Sequence, residues 1–400
     1  SCHVVIVPVL DVGKKYSVDE FKKLADANKL PHAVHEQTTY LEWKNSSYST
    51  EIPGQERTQK SCQECHMPRT YKNEKLKFKV ANIEDDTFPI VDHRAADEQL
   101  RMEVRDTYSR HSLHGINVFT TEMFRQNAWP LGVSLKNNLF PSAKAKPGFD
   151  VAIDSQLEMA REQTARLELL NVRREAGRLK AQVQVTNLTG HKFPSGVNFR
   201  RAFIEFKVQA GDKTLWASGL TDDWGVIGTE QNGMIWPLKS EFFKDREFQA
   251  HHEKIERQEQ VQIYEQLNTD SNGDFTTSFL SLKNVAKDNR LLPAGWKDTG
   301  PDAALTKPEG TGKDPDYSNG LGRDVVTYDI PLEFPAGQIV TVSAALYYQA
   351  LPPYYLKQRF EHMDKPATYR LYQMVNQMDR ANTAIKEWKL EIYKIMQKVE

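Results

Sequence analysis

The sequence predicts an α+β chain: a loop-rich N-terminal domain, then an antiparallel β-sandwich domain, then a C-terminal helix. Three observations predict it. Up to about Gly148, turn residues are dense and apolar residues keep no sustained period. Beyond Gly177 the apolar period is two, as half-buried strands require. From 367 onward, apolar residues return to spacings of three and four. At 400 residues the chain exceeds the usual size of one hydrophobic core. The expected division is 1–148, a connecting helix over 149–177, the sandwich over 178–366 and the terminal helix over 367–400.

Within the first division, Gly115 marks a bend, after which Val118, Phe119, Met123 and Phe124 recur at helical intervals, with His111 and His114 at the mouth of that helix. Asp150 or Asp154 can cap a connecting helix through Leu157, Ala160, Ala165 and Leu169 to about Arg173. Leu179, Ala181, Val183 and Val185 then alternate with polar residues, as do Ile204, Phe206 and Val208. Runs at Val261 to Tyr264, Val325 to Ile330 and Ile339 to Tyr348 continue the pattern, and Gly/Pro/Asn turns between them argue for a sandwich. Residues 292–322, with Pro301, Pro308 and Pro315, read as an extended surface loop. Ile385, Trp388, Ile392, Ile395 and Val399 give the terminal helix one apolar stripe, which packs on its own domain in preference to forming a seam for a partner chain.

Composition excludes several classes. Hydrophobic residues are 39%, charged residues 27% and the formal net charge is −1, so neither nucleic acid, membrane surface nor disorder is indicated for the whole chain. No apolar run approaches the ~20 residues of a membrane span. Val4 to Leu10 is too short and lacks the basic flank of a signal peptide, so any exporting signal is expected to have been removed or to lie outside this chain.

The chemistry concentrates at Cys62-Gln63-Glu64-Cys65-His66. In Cys-x-x-Cys-His, two thiols reach the vinyl groups on one edge of a porphyrin while the next imidazole swings under the iron, the spacing of covalent haem c attachment. Three other readings compete. Zinc needs four soft ligands, and the third of the three cysteines is Cys2. A thioredoxin-like pair wants an apolar strand upstream, whereas Pro53 to Ser61 is polar. A disulfide across two residues is strained and gives the histidine no part. Ser1-Cys2-His3 is what remains of a second motif if its first cysteine lay two residues ahead of Ser1. Cys2 and His3 then belong to another haem; the alternative is an N-terminal thiol. His32, His35, His66, His93, His111 and His114 all precede Gly148, out of eleven histidines, which favours imidazole at both axial positions of each iron. A single loop histidine is more often simply hydrogen-bonded than a ligand.

Several segments resemble one bacterial multihaem c-type cytochrome family. They are Thr39 to Trp43 (TYLEW), Cys62 to Pro68 (CQECHMP), His111 to Phe119 (HSLHGINVF), Asn187 to Gly196 (NLTGHKFPSG) with Arg200-Arg201-Ala202-Phe203, Gln262-Ile263-Tyr264, and Lys287 to Pro293 (KDNRLLP). The resemblance spans nearly the whole chain and implies a loop-rich multihaem domain over 1–148, with Cys62, Cys65 and Cys2 bonded to haem. It implies His66 and His3 as proximal ligands and His111 and His191 as distal candidates. His35, His32 and His114 are weaker candidates. Gly190, Gly196 and Pro194 also suit a tight, stiff loop presenting His191. Arg200 and Arg201 suit haem propionates, although an Arg pair in a strand more often forms a solvated face. Asp270 to Asp274 has part of a calcium loop's pattern but reads as a turn.

The function expected is electron transfer outside the cytoplasm, periplasmic or at the cell surface, by a multihaem c-type cytochrome with bis-His haems. Haem c numbers at least one, and two if Cys2 is bonded. Partners would be redox proteins or neighbouring cytochrome subunits, in an oligomer or filament, with neither nucleic acid nor a membrane span. Two rivals stand: a haem enzyme acting on small nitrogen or sulfur compounds at an open iron, with Tyr40, His93 and His114 as acid or base groups, and a structural or filament subunit of an electron conduit.

Overall fold

The computed structural model describes residues 4–9, 33–53, 58–71, 113–135 and 146–400 save positions 176, 245, 319, 333, 334 and 336. It also describes short pieces between them (13, 15, 17–26, 74–75, 78–79, 104–105 and 108–111). The fold is α+β. In the N-terminal part, strands β1 (Val5–Pro8) and β2 (Ala33–Gln37) pair antiparallel. Helix α1 (Thr39–Lys44) comes next, then one helical turn, α2 (Cys62–His66), and α3 (Val118–Gln126). Asn117 caps α3, its side chain accepting from the Thr120 N–H. Val118, Phe119 and Met123 enter the main core, as their spacing predicts.

Helix α4 (Gly148–Gln163) begins at Gly148 with Asp150 in its first turn, and stops ten residues short of the expected end at Arg173 (163 against 173). The chain continues as strand β3 (Ala165–Glu175), paired antiparallel with β4 (Arg178–Asn187). Ala165 and Leu169 fit period two as well as the helical spacing, and the long ladder to β4 decides between them. The expected connecting helix over 149–177 is therefore a helix and a strand.

Two sheets share one core. In the first, Lys254–Ile255, β9 (Arg323–Pro331), β4 and β3 lie in that order, antiparallel except for the short parallel pairing of Lys254–Ile255. The second runs Phe275–Thr276, β7 (Ile263–Thr269), β5 (Arg201–Ala210), β10 (Val340–Gln349) and β11 (Leu390–Val399). Strand β6 (Lys213–Ser218) adds to β5 and β8 (Asn284–Asp288) to β7. Leu179, Ala181, Val183, Val326 and Tyr328 of the first sheet meet Ile204, Phe206, Val342, Ala344 and Leu346 of the second. Phe206 stacks on Tyr328 with ring centres 3.9 Å apart, so the alternation read from the sequence is one of inward side chains.

The C-terminal helix is corrected. Helices α5 (Pro353–Phe360) and α6 (Pro366–Gln377) precede a tight turn at Lys386–Trp388, and the chain then runs as strand β11 along β10. The apolar spacing from Ile385 to Val399 fits one face of a helix, but Leu390 and Ile392 flank exposed Glu391 and are buried on the sheet. Residues 292–322 are also not a plain surface loop. Leu292, Trp296, Ala303 and Tyr317 form a small core of their own, and Ser47 N–H donates to Ala294 O, joining it to the N-terminal part. Asp270 to Asp274 is the expected turn, with the Asp270 carboxylate accepting from the N–H groups of Asn272 and Asp274.

Candidate metal centre

The centre is built from a helical turn and a loop of the opposite half. Ser61 and Glu64 form a capping box at α2: Ser61 Oγ accepts from the Glu64 N–H and the Glu64 carboxylate accepts from the Ser61 N–H. Hydrogen bonding from Ser61 holds the Glu64 carboxyl below its usual range. The turn places Cys62 and Cys65 three residues apart on one face, with no disulfide between them. Burial pushes the Cys65 thiol up, the opposite of the shift that makes a reactive thiolate pair.

Main-chain groups of residue 114 orient His66. His114 N–H donates to His66 O at 2.9 Å, and His66 Nδ1 donates to the carbonyl of His114. Because a carbonyl only accepts, Nδ1 carries the proton and Nε2 carries the lone pair. His191, in the loop after β4, is arranged alike: its Nδ1 lies 2.9 Å from Lys192 O. The two imidazoles lie close together, ring centres 6.3 Å apart and planes 11° apart. Two imidazoles bound to one metal through nitrogen, each bond about 2 Å long, would set their ring centres about 6.4 Å apart. Two thiols on one turn and two imidazoles with Nδ1 tied to a carbonyl form a donor set that suits a haem, which Cys62 and Cys65 would bond and His66 and His191 would ligate.

The loop is held against α1. Gly190 lies where a Cβ would stand 3.0 Å from Trp43 Cδ1 and 3.1 Å from Tyr48 Cβ, so glycine allows this approach without the neighbours giving way. Gly196, at φ +88°, turns the chain at the loop's far end. Tyr48 Oη donates to Leu188 O, and Thr39 Oγ1 and Ser195 Oγ lie 2.9 Å apart.

The remaining sequence candidates separate. His111 is exposed and stacks on Tyr108; among the described residues it is His191, not His111, whose ring stands parallel to His66. His114 is buried, and burial, with Arg110 and His66 nearby, pushes its pKa down to about 4. His35 sits on β2 opposite Ile6 of β1. Cys2, His3, His32 and His93 lie outside the described residues. The solvated-face reading of the Arg pair is corrected. Arg201 is fully buried, its guanidinium bonded to both oxygens of Glu241 at 2.6 and 2.8 Å and to Gln349 Oε1 at 2.7 Å, which leaves it no role at a propionate. Arg200 donates to Ser195 O.

Two buried clusters were not foreseen. Glu42, Arg290, Asp288 and Lys192 form an ion network at the contact of the halves. Burial raises the Asp288 carboxyl, but Arg290 and Lys192 outweigh it and hold the group down to about 2. His251, Asp314 and Asp324 place ligand-type atoms within 4.8 Å of one another. A metal does not suit this set. His251 Nδ1 faces the amide nitrogens of Gln262 and Asn289. Both amides are oriented by main-chain donors to their oxygens, so Nε2 holds the proton and donates it to Asp314 at 2.8 Å. The cluster was illegible because its members are scattered through turns and strands.

No family model matches this chain, and no curated protein matches it. Among solved structures it is similar to a penta-haem cytochrome c552 from Thermochromatium tepidum, at 15% identity and a TM-score of 0.33, over 64% of this chain and 45% of that one. The chain thus spans less than half the length of that protein, and a likeness of this degree bears on neither fold nor function.

Proposed function

We propose that this chain is a multihaem c-type cytochrome that carries electrons between redox partners in the periplasm or at the cell surface. The observation that carries the reading is the His66–His191 pair, 6.3 Å between ring centres with planes 11° apart, beside the two thiols of one helical turn. Cys62 and Cys65 would hold the porphyrin, and His66 and His191 would hold its iron. Haem c bound this way supplies a one-electron centre with no vacant position for substrate. The sequence resemblance supports membership of the multihaem family, and Cys2 with His3 would serve a second haem. An enzyme with an open iron is the weaker reading, because two histidines, His66 and His191, are available to ligate the same iron.

Intact-mass measurement of protein matured in a competent host, with peptide mapping, tests attachment. The expected result is a haem adduct on the peptide containing Cys62 and Cys65, a low-spin spectrum in both oxidation states and no carbon monoxide binding. Unmodified thiols at 62 and 65 overturn the reading; a high-spin, carbon monoxide-binding iron replaces carrier with enzyme.

A further inference from the structure

We propose that Glu42 is a positioning residue for the His191 imidazole, acting from the N-terminal half on the peptide that carries it; this rests on His191 being an axial ligand. The peptide between His191 and Lys192 is held at both edges. Its carbonyl accepts from Asn187 Nδ2 at 2.8 Å and Thr189 Oγ1 at 2.7 Å, both within its own loop. Its N–H donates to Glu42 Oε2 at 3.1 Å. The bond to Glu42 is the one that crosses to the part of the chain bearing Cys62, Cys65 and His66.

Glu42 is built for that task. It is 0% exposed on α1, and each carboxylate oxygen has two partners. Oε2 also accepts from Ser195 Oγ at 3.2 Å, while Oε1 accepts from Thr38 Oγ1 at 2.9 Å and meets Arg290 at 3.3 Å. Arg290 continues to Asp288, and Asp288 takes Lys192 Nζ at 2.7 Å. The chain of contacts closes on the residue where it began, because Lys192 offers its main-chain N–H to Glu42 and its ammonium to Asp288. Two cations and two anions sit in this ring, so no charge is left over. Apolar contacts such as Gly190 on Trp43 bring the halves together but do not direct a group; hydrogen bonds to a carboxylate that is itself fixed do.

The test uses full-length holoprotein carrying Glu42→Leu, Glu42→Gln or His191→Ala, with Arg201→Met as a control for loss of a buried ion pair elsewhere. Spin state and g-values by electron paramagnetic resonance, carbon monoxide binding, midpoint potential and urea midpoint are measured on each. In E42L a high-spin fraction that binds carbon monoxide is expected. In E42Q, whose amide oxygen still accepts from Lys192 N–H, the iron stays low-spin with altered g-values and a higher potential, because a negative charge is gone. R201M is destabilised with an unchanged iron signal. If E42L does not mature, E42Q decides alone. Unchanged g-values and potential in E42Q, or an E42L that is destabilised like R201M yet spectrally native, overturn the proposal. If H191A leaves the wild-type signal intact, the ligand assignment itself fails and the proposal falls with it.

Discussion

The main chain of His114 grips His66 from two sides, its N–H donating to the His66 carbonyl at 2.9 Å and its own carbonyl accepting from His66 Nδ1. The side chain of His114 takes no part in that grip. His114→Ala is therefore expected to keep a low-spin, haem-bonded protein while losing about 1–3 kcal/mol of stability from the emptied buried site. Electron paramagnetic resonance and urea denaturation check both halves of the expectation; a high-spin signal in H114A would instead make the imidazole a ligand.

Gly190→Ala adds a methyl group where Trp43 Cδ1 and Tyr48 Cβ already stand at 3.0 and 3.1 Å. Overpacking of this kind costs about 1–3 kcal/mol, and here it also pushes the His191 loop away from α1. Both a lowered urea midpoint and shifted g-values are expected. A destabilised variant with native g-values would show that the loop adjusts without moving the imidazole.

Arg201 and Glu241 are both buried and bonded at both carboxylate oxygens. Removing one partner leaves a buried charge, so Arg201→Met or Glu241→Met alone is expected to cost about 3–5 kcal/mol. The double variant R201M/E241M is expected to recover most of that, and a double-mutant cycle measures the recovery. The iron potential should stay unchanged throughout, since this pair lies in the sheet core and not at a propionate.

Acid should weaken the fold through His252. Burial, with Lys287 and His251 nearby, pushes this group down to about 4, below its unfolded value of about 6.5. Between those values the unfolded chain binds more protons, so stability falls as pH drops from about 6.5 towards 4. The loss at pH 5 amounts to at most about 2 kcal/mol. Asp324 works in the opposite sense: burial raises it to about 6, so protonation of the folded protein relieves a cost as pH falls below that value. Urea midpoints at pH 7 and pH 5 should decline less in His252→Gln and more in Asp324→Asn than in the unaltered protein. Equal slopes in all three would contradict both assignments.

The strands of the two sheets and the Cys-x-x-Cys-His turn were legible because each depends on local spacing. Alternation at 179–185, 204–208 and 325–330 needs no knowledge of partners, and Cys62, Cys65 and His66 sit on one turn. The terminal strand was misread because the run from Ile385 to Val399 satisfies both periods. Only its ladder to β10, which no local pattern encodes, selects the strand. Likewise the end of α4 was hidden by Ala165 and Leu169, which serve either period. His191 came from a family resemblance and loop chemistry; the structure places its ring beside His66, while His111 stacks on Tyr108. Glu42 fell inside the family-like segment Thr39 to Trp43 but gave no signal of its role, since one glutamate in a short amphipathic segment looks like a solvated face until its partners from 192 and 290 arrive.

The order in which β11 joins has a bearing on biosynthesis. Until residues 390–399 emerge, β10 presents an unpaired edge, and the sheet into which the His191 loop leads is incomplete. The thiols at 62 and 65 are made long before that moment. If haem is attached as proposed, attachment at those thiols could precede completion of the sheet, and β11 would then be the last strand needed to fix the loop that carries His191.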